Sequence, residues 1–183
     1  AADGNPSGAC IYHHNLMNLM CWFIKEFHLN DEDWIFLVTA PNLDITQKNF
    51  YAPLMTGGAL CIPAFNFFEP AALLREIPEN WVTWLNCTPS MFYRLLEYDV
   101  AEGKKKLCFL RYVFLGDEPV SLVPLQRWWE ADECRAQVIN TYGPGECADV
   151  CTFFPIPVSP PGTEDSIPIG KPVHNVELYV LDK

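Results

Sequence analysis

Apolar residues along the chain follow two spacings, one typical of helices and the other of buried strands. Between residues 13 and 27 they recur at every third or fourth position, which predicts a helix. Residues 34–38 are almost continuously apolar, as a strand that is buried on both faces tends to be. The same patterns predict further helices at residues 45–55, 69–77, 90–98 and 121–131, and further strands at residues 59–63, 82–86, 111–115 and 138–141.

Strands and helices therefore alternate through residues 1–150, and this order predicts an α/β fold. Strands that are apolar throughout are typical of a mostly parallel sheet flanked by helices on both faces. Beyond Cys151 the chain is rich in proline, which predicts loops, and residues 176–181 predict a short closing strand. We therefore divide the chain into residues 1–150 and residues 151–183, without a linker that would clearly separate two domains.

Residues 140–146, Asn-Thr-Tyr-Gly-Pro-Gly-Glu, form a turn directly after the last of these alternating strands. The ring of Tyr142 can stack on a flat ligand, the glycines let a ligand approach the backbone, and Glu146 can hold a hydrated metal ion. The alternative is a tight surface turn in which Tyr142 packs on the core and Glu146 is solvated. Both interpretations fit the turn when it is taken alone.

The balance of charge limits the partners of the protein. It carries 23 acidic and 12 basic residues, a formal net charge of −11 at pH 7. A surface this acidic disfavours nucleic acid and anionic membranes as partners. No apolar stretch approaches the length needed to span a bilayer and no signal peptide is recognisable, so we expect a cytoplasmic protein.

The cysteines point to the same compartment. Cys61, Cys87 and Cys108 lie within apolar runs, which predicts buried thiols in a reducing environment rather than disulfides. Cys147 and Cys151 are spaced as two metal ligands on a helix would be. No second pair of ligands accompanies them, so we do not expect a zinc site.

Three loops at predicted strand ends carry polar residues that could form one site. They are residues 43–46 (Leu-Asp-Ile-Thr), residues 115–118 (Leu-Gly-Asp-Glu) and residues 140–146. Open α/β sheets bind ligands at the carboxyl edge of their strands, so we expect the three loops to converge there.

These loops, in this order, resemble the adenylation domain of non-ribosomal peptide synthetases, which belongs to the AMP-binding, adenylate-forming ligases. Residues 140–146 match the family's Asn-x-Tyr-Gly-Pro-x-Glu. Residues 169–173 (Ile-Gly-Lys-Pro-Val), Asn175 and residues 179–182 (Tyr-Val-Leu-Asp) match a second run, and residues 4–8, His13 and residues 15–16 match a third. The resemblance covers essentially the whole chain and implies the core of the domain's amino-terminal region.

The resemblance implies a nucleotide site. Tyr142 matches the tyrosine that stacks on adenine, and Glu146 matches the glutamate that engages magnesium near the phosphates. The remaining nucleotide-binding positions that it implies are Asn140, Gly143, Gly116, Asp117 and Glu118. ATP and Mg²⁺ are therefore the implied cofactors, with none bound covalently.

The resemblance also implies an amino-acid site. Asp44 matches the aspartate that pairs with the α-amino group of the substrate, and aspartate also suits the N-cap of the predicted helix. The other pocket positions are Ile45, Lys48, Asn86, Val113, Leu115, Thr141, Asp149 and Val150. A buried Lys48–Asp149 pair would neutralise itself, whereas an unpaired Asp149 would favour a cationic or hydroxyl-bearing side chain. Both arrangements fit the sequence.

The residues that would face the phosphates depart from the family pattern. In the loop that contains Gly4 and Gly8, Asp3 stands in place of a threonine and Ser7 in place of a lysine. An added anion and a lost cation each oppose the binding of a polyanion, by about 1 kcal/mol or more in a partly buried site. Gly145 replaces a further threonine near the phosphates.

These departures predict a truncated, degenerate adenylation domain that does not adenylate alone. The family's ribose-binding aspartate and catalytic lysine would follow residue 183. Such a module would act as a structural or docking unit for neighbouring condensation and carrier-protein domains. The alternative is a portion of a working domain that uses ATP and Mg²⁺ to activate an amino acid for loading on a carrier-protein phosphopantetheine. An acyl- or aryl-activating relative is a third interpretation, which Asp44 disfavours.

Overall fold

A computed structural model describes residues 10–63, 68–103, 105–132, 134, 136–158 and 167–182. The helices are α1 (His13–Glu26), α2 (Gln47–Thr56), α3 (Pro70–Glu79), α4 (Pro89–Ala101) and α5 (Leu122–Asp132). The strands are β1 (Trp34–Phe36), β2 (Ala59–Cys61), β3 (Trp84–Cys87), β4 (Tyr112–Leu115), β5 (Gln137–Tyr142), β6 (Thr152–Ile156) and β7 (Lys171–Pro172). Every helix and strand predicted before residue 142 is confirmed, with ends that differ by a few residues.

The strands form one sheet in the order β2-β1-β3-β4-β5-β6-β7. The pairs from β2 to β5 are parallel, and β6 and β7 are added antiparallel. The predicted mostly parallel sheet flanked by helices is therefore confirmed. Because β3, β4 and β5 run in the same direction, their carboxyl ends lie side by side at one edge.

Alternating side chains of the strands pack under two different helical layers. On one face, Val113 and Leu115 of β4 join the core formed with α3, α4 and α5. On the other face, Phe114 packs with residues of α1, such as Phe23, at 4.7 Å between ring centroids. Burial of both faces explains why the central strands read as nearly continuous apolar runs.

Local sequence explains where the helices begin. Pro70 occupies the first turn of α3, where its missing N–H has no intrahelical partner to lose. Thr88 caps α4 by accepting a hydrogen bond from the Met91 N–H at 3.4 Å. The carboxyl end of β3 is therefore followed at once by the start of α4.

An ion pair connects the amino-terminal ends of the central strands, opposite the carboxyl edge. Asp33, which is buried, accepts two hydrogen bonds from Nη1 of Arg111, at 3.1 and 2.9 Å. Its Oδ1 also accepts from the Thr83 hydroxyl at 2.9 Å, and Arg111 Nη2 donates to the Phe27 carbonyl at 3.3 Å. These bonds join the segments that enter β1, β3 and β4 and the end of α1, so they fix the frame on which the carboxyl edge is built.

Two features of the carboxyl-terminal third differ from the sequence prediction. The predicted strand at residues 176–181 is wrong, because these residues pair with no described strand, and Tyr179, Val180 and Leu181 are largely exposed. The sequence patterns also did not predict β6 and β7, which continue the sheet beyond β5.

The thiols are less uniformly buried than the sequence predicts. Cys87 is fully buried on β3, and burial raises the pKa of its thiol to about 12, so it stays protonated. Cys61 and Cys108 are only partly buried. Within the described ranges, no helix is both long and apolar enough to cross a membrane.

Candidate functional site

The turn before α2 brings Asp44 to the carboxyl edge of the sheet. Asp44 begins the short 3₁₀ turn Asp44–Thr46, and its Oδ1 accepts a hydrogen bond from the Ile45 N–H at 2.9 Å. It is not an N-cap, because Leu43 occupies the N-cap position of this turn and Thr46 that of α2. The second carboxylate oxygen of Asp44 lies 3.0 Å from where a Cβ of Gly145 would be. Asp44 therefore reaches the turn that follows β5.

A buried ion pair lies behind Asp44. Lys48, in the first turn of α2, donates through Nζ to Oδ2 of Asp149, and both side chains are buried. Ala148 and Asp149 adopt left-handed backbone conformations, at φ 61° and 80°, which turn the loop after β5 inward. Of the two arrangements that the sequence allowed, the structure contains the paired one.

The acidic residues around Lys48 outnumber it, so the net charge of this cluster is negative. Desolvation raises the pKa of Asp149 to about 6 from 3.8, Lys48 opposes the shift, and Asp44 and Asp117 add to it. Desolvation and the neighbouring Asp44 also raise the pKa of Asp117. Three mutually interacting carboxylates are thus accompanied by the one ammonium of Lys48, and this excess of negative charge favours a ligand cation next to Asp44.

Asn86, on β3, fixes the position of the Asp44 turn through hydrogen bonds. Its Nδ2 donates to the Ile45 carbonyl at 2.7 Å and to Oδ1 of Asn49 at 2.8 Å. Its Oδ1 is buried and has no hydrogen-bond partner among the described residues. Asn49 lies on α2 and was not predicted as a site residue. Its polarity inside an otherwise amphipathic helix was the only sequence signal that could have identified it.

Gly116 and Thr141 bring the ends of β4 and β5 into close contact at the carboxyl edge of the sheet. Thr141 donates its hydroxyl to the Leu115 carbonyl at 3.1 Å. A Cβ at Gly116 would lie 2.8 Å from that hydroxyl oxygen and 3.4 Å from Cδ1 of Ile45. Glycine at this position is therefore required for the close approach of β4, β5 and the Asp44 turn.

The turn at residues 140–146 presents its residues in different directions. Tyr142 ends β5 with 51% of its surface exposed, and Glu146 is exposed within the 3₁₀ turn Gly145–Cys147. Asn140 instead donates through Nδ2 to the Pro168 carbonyl at 2.9 Å. At Gly143 a Cβ would lie only 2.1 Å from the Asp149 carbonyl oxygen, so a side chain there would separate the two limbs of the turn.

Glu118 is engaged by α4. Its carboxylate accepts from the Ser90 N–H and from the Ser90 hydroxyl, both at 2.9 Å, at the start of that helix. Asp117, beside it, is exposed and has a left-handed backbone at φ 68°. The two acidic residues of this loop are therefore oriented by separate local constraints.

The remaining predicted pocket residues lie in two different cores, one on each face of the sheet. Val113 and Leu115 lie in the core beneath α3, α4 and α5, whereas Val150 belongs to the core on the α1 side of the sheet. Strand register also places Val113 and Asn86 on opposite faces of the sheet, because Val113 pairs with Leu85 and not with Asn86. The predicted phosphate loop, Asp3, Gly4, Ser7 and Gly8, lies outside the described residues.

Glu146 is the only predicted metal ligand, and a single carboxylate is compatible with magnesium. Mg²⁺ in nucleotide sites is commonly held by one or two carboxylates, water and the phosphates of the substrate. In the described part of the chain, no group of three or more histidine, cysteine, aspartate or glutamate side chains could hold a metal ion without such a substrate. This donor set suits a magnesium ion that arrives with a nucleotide.

Comparison with known proteins shows which sequences and structures this chain is similar to. The sequence profile described as AMP-binding enzyme matches residues 2–183. Tyrocidine synthase 3 of Brevibacillus parabrevis is 34% identical over 99% of this chain, and bacitracin synthase 3 of Bacillus licheniformis is 30% identical over all of it. This chain spans 3% of the length of either synthase. The non-ribosomal peptide synthetase FmoA3, in its α-methyl-L-serine-AMP-bound form, superposes with a TM-score of 0.88 at 25% identity, over 98% of this chain and 20% of that one.

Proposed function

Since the chain belongs to the AMP-binding enzyme family and corresponds to part of a non-ribosomal peptide synthetase adenylation domain, we propose that its carboxyl edge binds an amino acid and the adenosine of its adenylate. The observation that carries the proposal is the approach of Asp44 to the Gly145 turn, beside exposed Tyr142 and Glu146. This approach places a carboxylate, an aromatic ring and a second carboxylate around one edge of the sheet.

Asp44 binds the α-ammonium of the amino acid in this proposal. Its carboxylate is partly exposed and, among the described residues, receives one backbone hydrogen bond, from Ile45. Lys48 cannot compete for it, because that ammonium is already paired with Asp149. A substrate ammonium therefore finds an available carboxylate in a negative environment, and a charge-assisted bond of this kind is about twice as strong as a neutral one.

Tyr142 and the glycines of its turn bind the nucleotide portion. The exposed ring of Tyr142 offers a face on which adenine stacks, and Gly143 and Gly145 leave the backbone accessible to the ligand. Glu146 would hold Mg²⁺, which when bound would neutralise phosphate charge. The residues of this chain bind and orient, so that an amino-acid carboxylate oxygen can attack the α-phosphorus as the bond to pyrophosphate breaks.

Calorimetric titration with non-hydrolysable aminoacyl-adenylate analogues tests the proposal directly. The protein should bind at least one analogue with micromolar affinity. Asp44→Ala and Tyr142→Ala should each weaken that binding about 10-fold or more, since a lost ion pair or base stack is worth on the order of 1–3 kcal/mol. Tyr98→Ala, which removes a similarly exposed ring from α4, should leave it unchanged. Absence of binding by every analogue would refute the proposal.

A second candidate is the degenerate docking module that the sequence predicts. It is favoured by Asp3, Ser7 and Gly145, which replace groups that would contact phosphates. Under this alternative neither ATP with Mg²⁺ nor any adenylate analogue binds, while immobilised protein retains neighbouring condensation or carrier-protein domains. Binding of an analogue together with failure to retain those domains would exclude it.

A further inference from the structure

The residues behind Asp44 leave little space between them. Lys48 and Asn86 are each 0% exposed, Ile45 is 1%, Thr141 is 5% and Asp149 is 6% exposed. A cavity that admitted a water-sized sphere would leave its lining atoms accessible, even if the cavity were sealed from bulk solvent. The near-zero exposure of Lys48, Asn86 and Ile45 therefore means that no such cavity borders these three residues, and Thr141 and Asp149 expose only a small part of their surface.

The ion pair is what occupies this space. Lys48 extends from α2 and Asp149 from the loop after β5. Their contact therefore fills the space between these two elements. Asn86 limits the gap from β3 through its bonds to the Ile45 carbonyl and Asn49. Together these residues form a closed floor under the partly exposed Asp44 carboxylate.

This floor resists displacement by a ligand. Moving Lys48 aside would leave the carboxylate of Asp149 buried without its partner, and moving Asp149 aside would leave the ammonium of Lys48 unpaired. Breaking a buried pair in this way is strongly unfavourable, whereas leaving it intact costs a ligand nothing. An acidic side chain that sought Lys48, or a basic one that sought Asp149, would meet the same penalty.

We infer that the Lys48–Asp149 pair fills the side-chain space behind Asp44 and restricts the site to amino acids with a hydrogen or one small group at the α-carbon. The inference rests on the proposed function, because it assumes that Asp44 holds the ammonium of the amino acid. Lys48 and Asp149 are in this view specificity-determining residues that act by occupying volume while neutralising each other.

A panel of aminoacyl-sulfamoyl adenosines tests the inference on the unaltered protein. The glycyl and alanyl analogues should bind roughly 10-fold or more tightly than the leucyl, phenylalanyl, glutamyl and lysyl analogues, as expected for a closed pocket. Equal or tighter binding of any of the four larger analogues would overturn the inference and leave the proposed function standing. Failure of all six to bind would overturn both.

A double variant tests the cause of the selectivity. Lys48→Ala with Asp149→Ala removes both charges together, so neither is left unpaired, and opens the floor. The leucyl analogue should then bind at least as tightly as the glycyl analogue. The matched control is Glu102→Ala with Lys106→Ala, which removes a surface pair at 3.2 Å and should keep the original order of affinities.

Retention of the original order by the folded double variant would overturn the inference. Circular dichroism and a thermal transition establish whether that variant is folded. If it is not, the panel on the unaltered protein decides the matter alone, because the order of the six affinities depends only on the space that the intact pair leaves.

Discussion

Asp44 and Gly145 approach across the candidate site, with Oδ2 of Asp44 3.0 Å from the point that a Cβ on Gly145 would occupy. Gly145 is not one of the glycines with positive φ, so alanine adds no backbone strain. Gly145→Ala should instead push the Asp44 carboxylate aside by a few tenths of an ångström. We expect an aminoacyl-adenylate analogue to bind roughly 3- to 10-fold more weakly, about 1 kcal/mol, by calorimetry.

A double-mutant cycle identifies the route of that effect. In an Asp44→Ala background the added Cβ meets no carboxylate, so Gly145→Ala should cause no further loss of affinity. The same loss in both backgrounds would show that Gly145 acts on the ligand through some other contact.

Asp149 should make the protein less stable as the pH rises through 6. Desolvation raises the folded-state pKa of Asp149 to about 6 from 3.8, so the folded protein retains a proton that the unfolded chain has released. The resulting stabilisation is complete below the unfolded pKa and is lost as the pH rises through the folded pKa. Urea unfolding should give a free energy of unfolding about 1 kcal/mol lower at roughly pH 7.5 than at about pH 5.2.

Two variants separate Asp149 from other titrating groups. In Asp149→Asn the difference between the two pH values should disappear, because the amide does not titrate, and the variant should be less stable at the higher pH, where Lys48 loses an ionised partner. Asp117→Asn removes a carboxyl whose pKa is also raised but which is exposed, and most of the difference should remain. A difference of unchanged size in Asp149→Asn would show that another group is responsible.

The alternation of strands and helices was predictable because the central strands are buried on both faces. The error at residues 176–181 has a specific cause, since an apolar run becomes a strand only when another strand pairs with it. The strand β6 was not predicted because it contains Pro155, and proline usually interrupts a strand. Among the described residues, β7 pairs with Thr152 and Phe153 but not with Pro155, so β6 has no described neighbour on that side at Pro155 and proline is tolerated there.

The family resemblance predicted Lys48 and Asp149 as polar residues of one pocket, and the sequence left open whether they form a pair. Their contact depends on the left-handed backbone at Ala148 and Asp149, which turns the loop inward. The separation of Val113 from Asn86 depends on strand register, because a shift of one position would have placed them on one face. Backbone conformation and register are decided by the packing of the whole sheet, so local motifs do not reveal them.

Asn86→Leu should destabilise the fold as well as the site. The substitution keeps the approximate side-chain volume but removes the donor that the Ile45 carbonyl and Asn49 share, and both acceptors are buried. We expect the free energy of unfolding in urea to fall by about 2–3 kcal/mol. Asn80→Ala is the control, because its half-buried amide donates one bond, to the Glu76 carbonyl at 2.8 Å, and its loss should cost about 1 kcal/mol or less. Equal losses in the two variants would contradict this role for Asn86.

Gly143→Ala should be far more damaging than Gly145→Ala, although the two glycines belong to one turn. A Cβ at Gly143 would lie 2.1 Å from the Asp149 carbonyl oxygen and 2.7 Å from the Cys151 nitrogen, and backbone atoms cannot move aside as a side chain can. The two limbs of the turn must then separate, which carries Asp149 away from Lys48. We expect a loss of about 3 kcal/mol or more in unfolding free energy, the magnitude of a broken buried pair. Gly145→Ala should lose less than about 1 kcal/mol in the same assay, because its nearest neighbour is a movable carboxylate. Similar losses in the two variants would mean that the turn does not hold the pair in place.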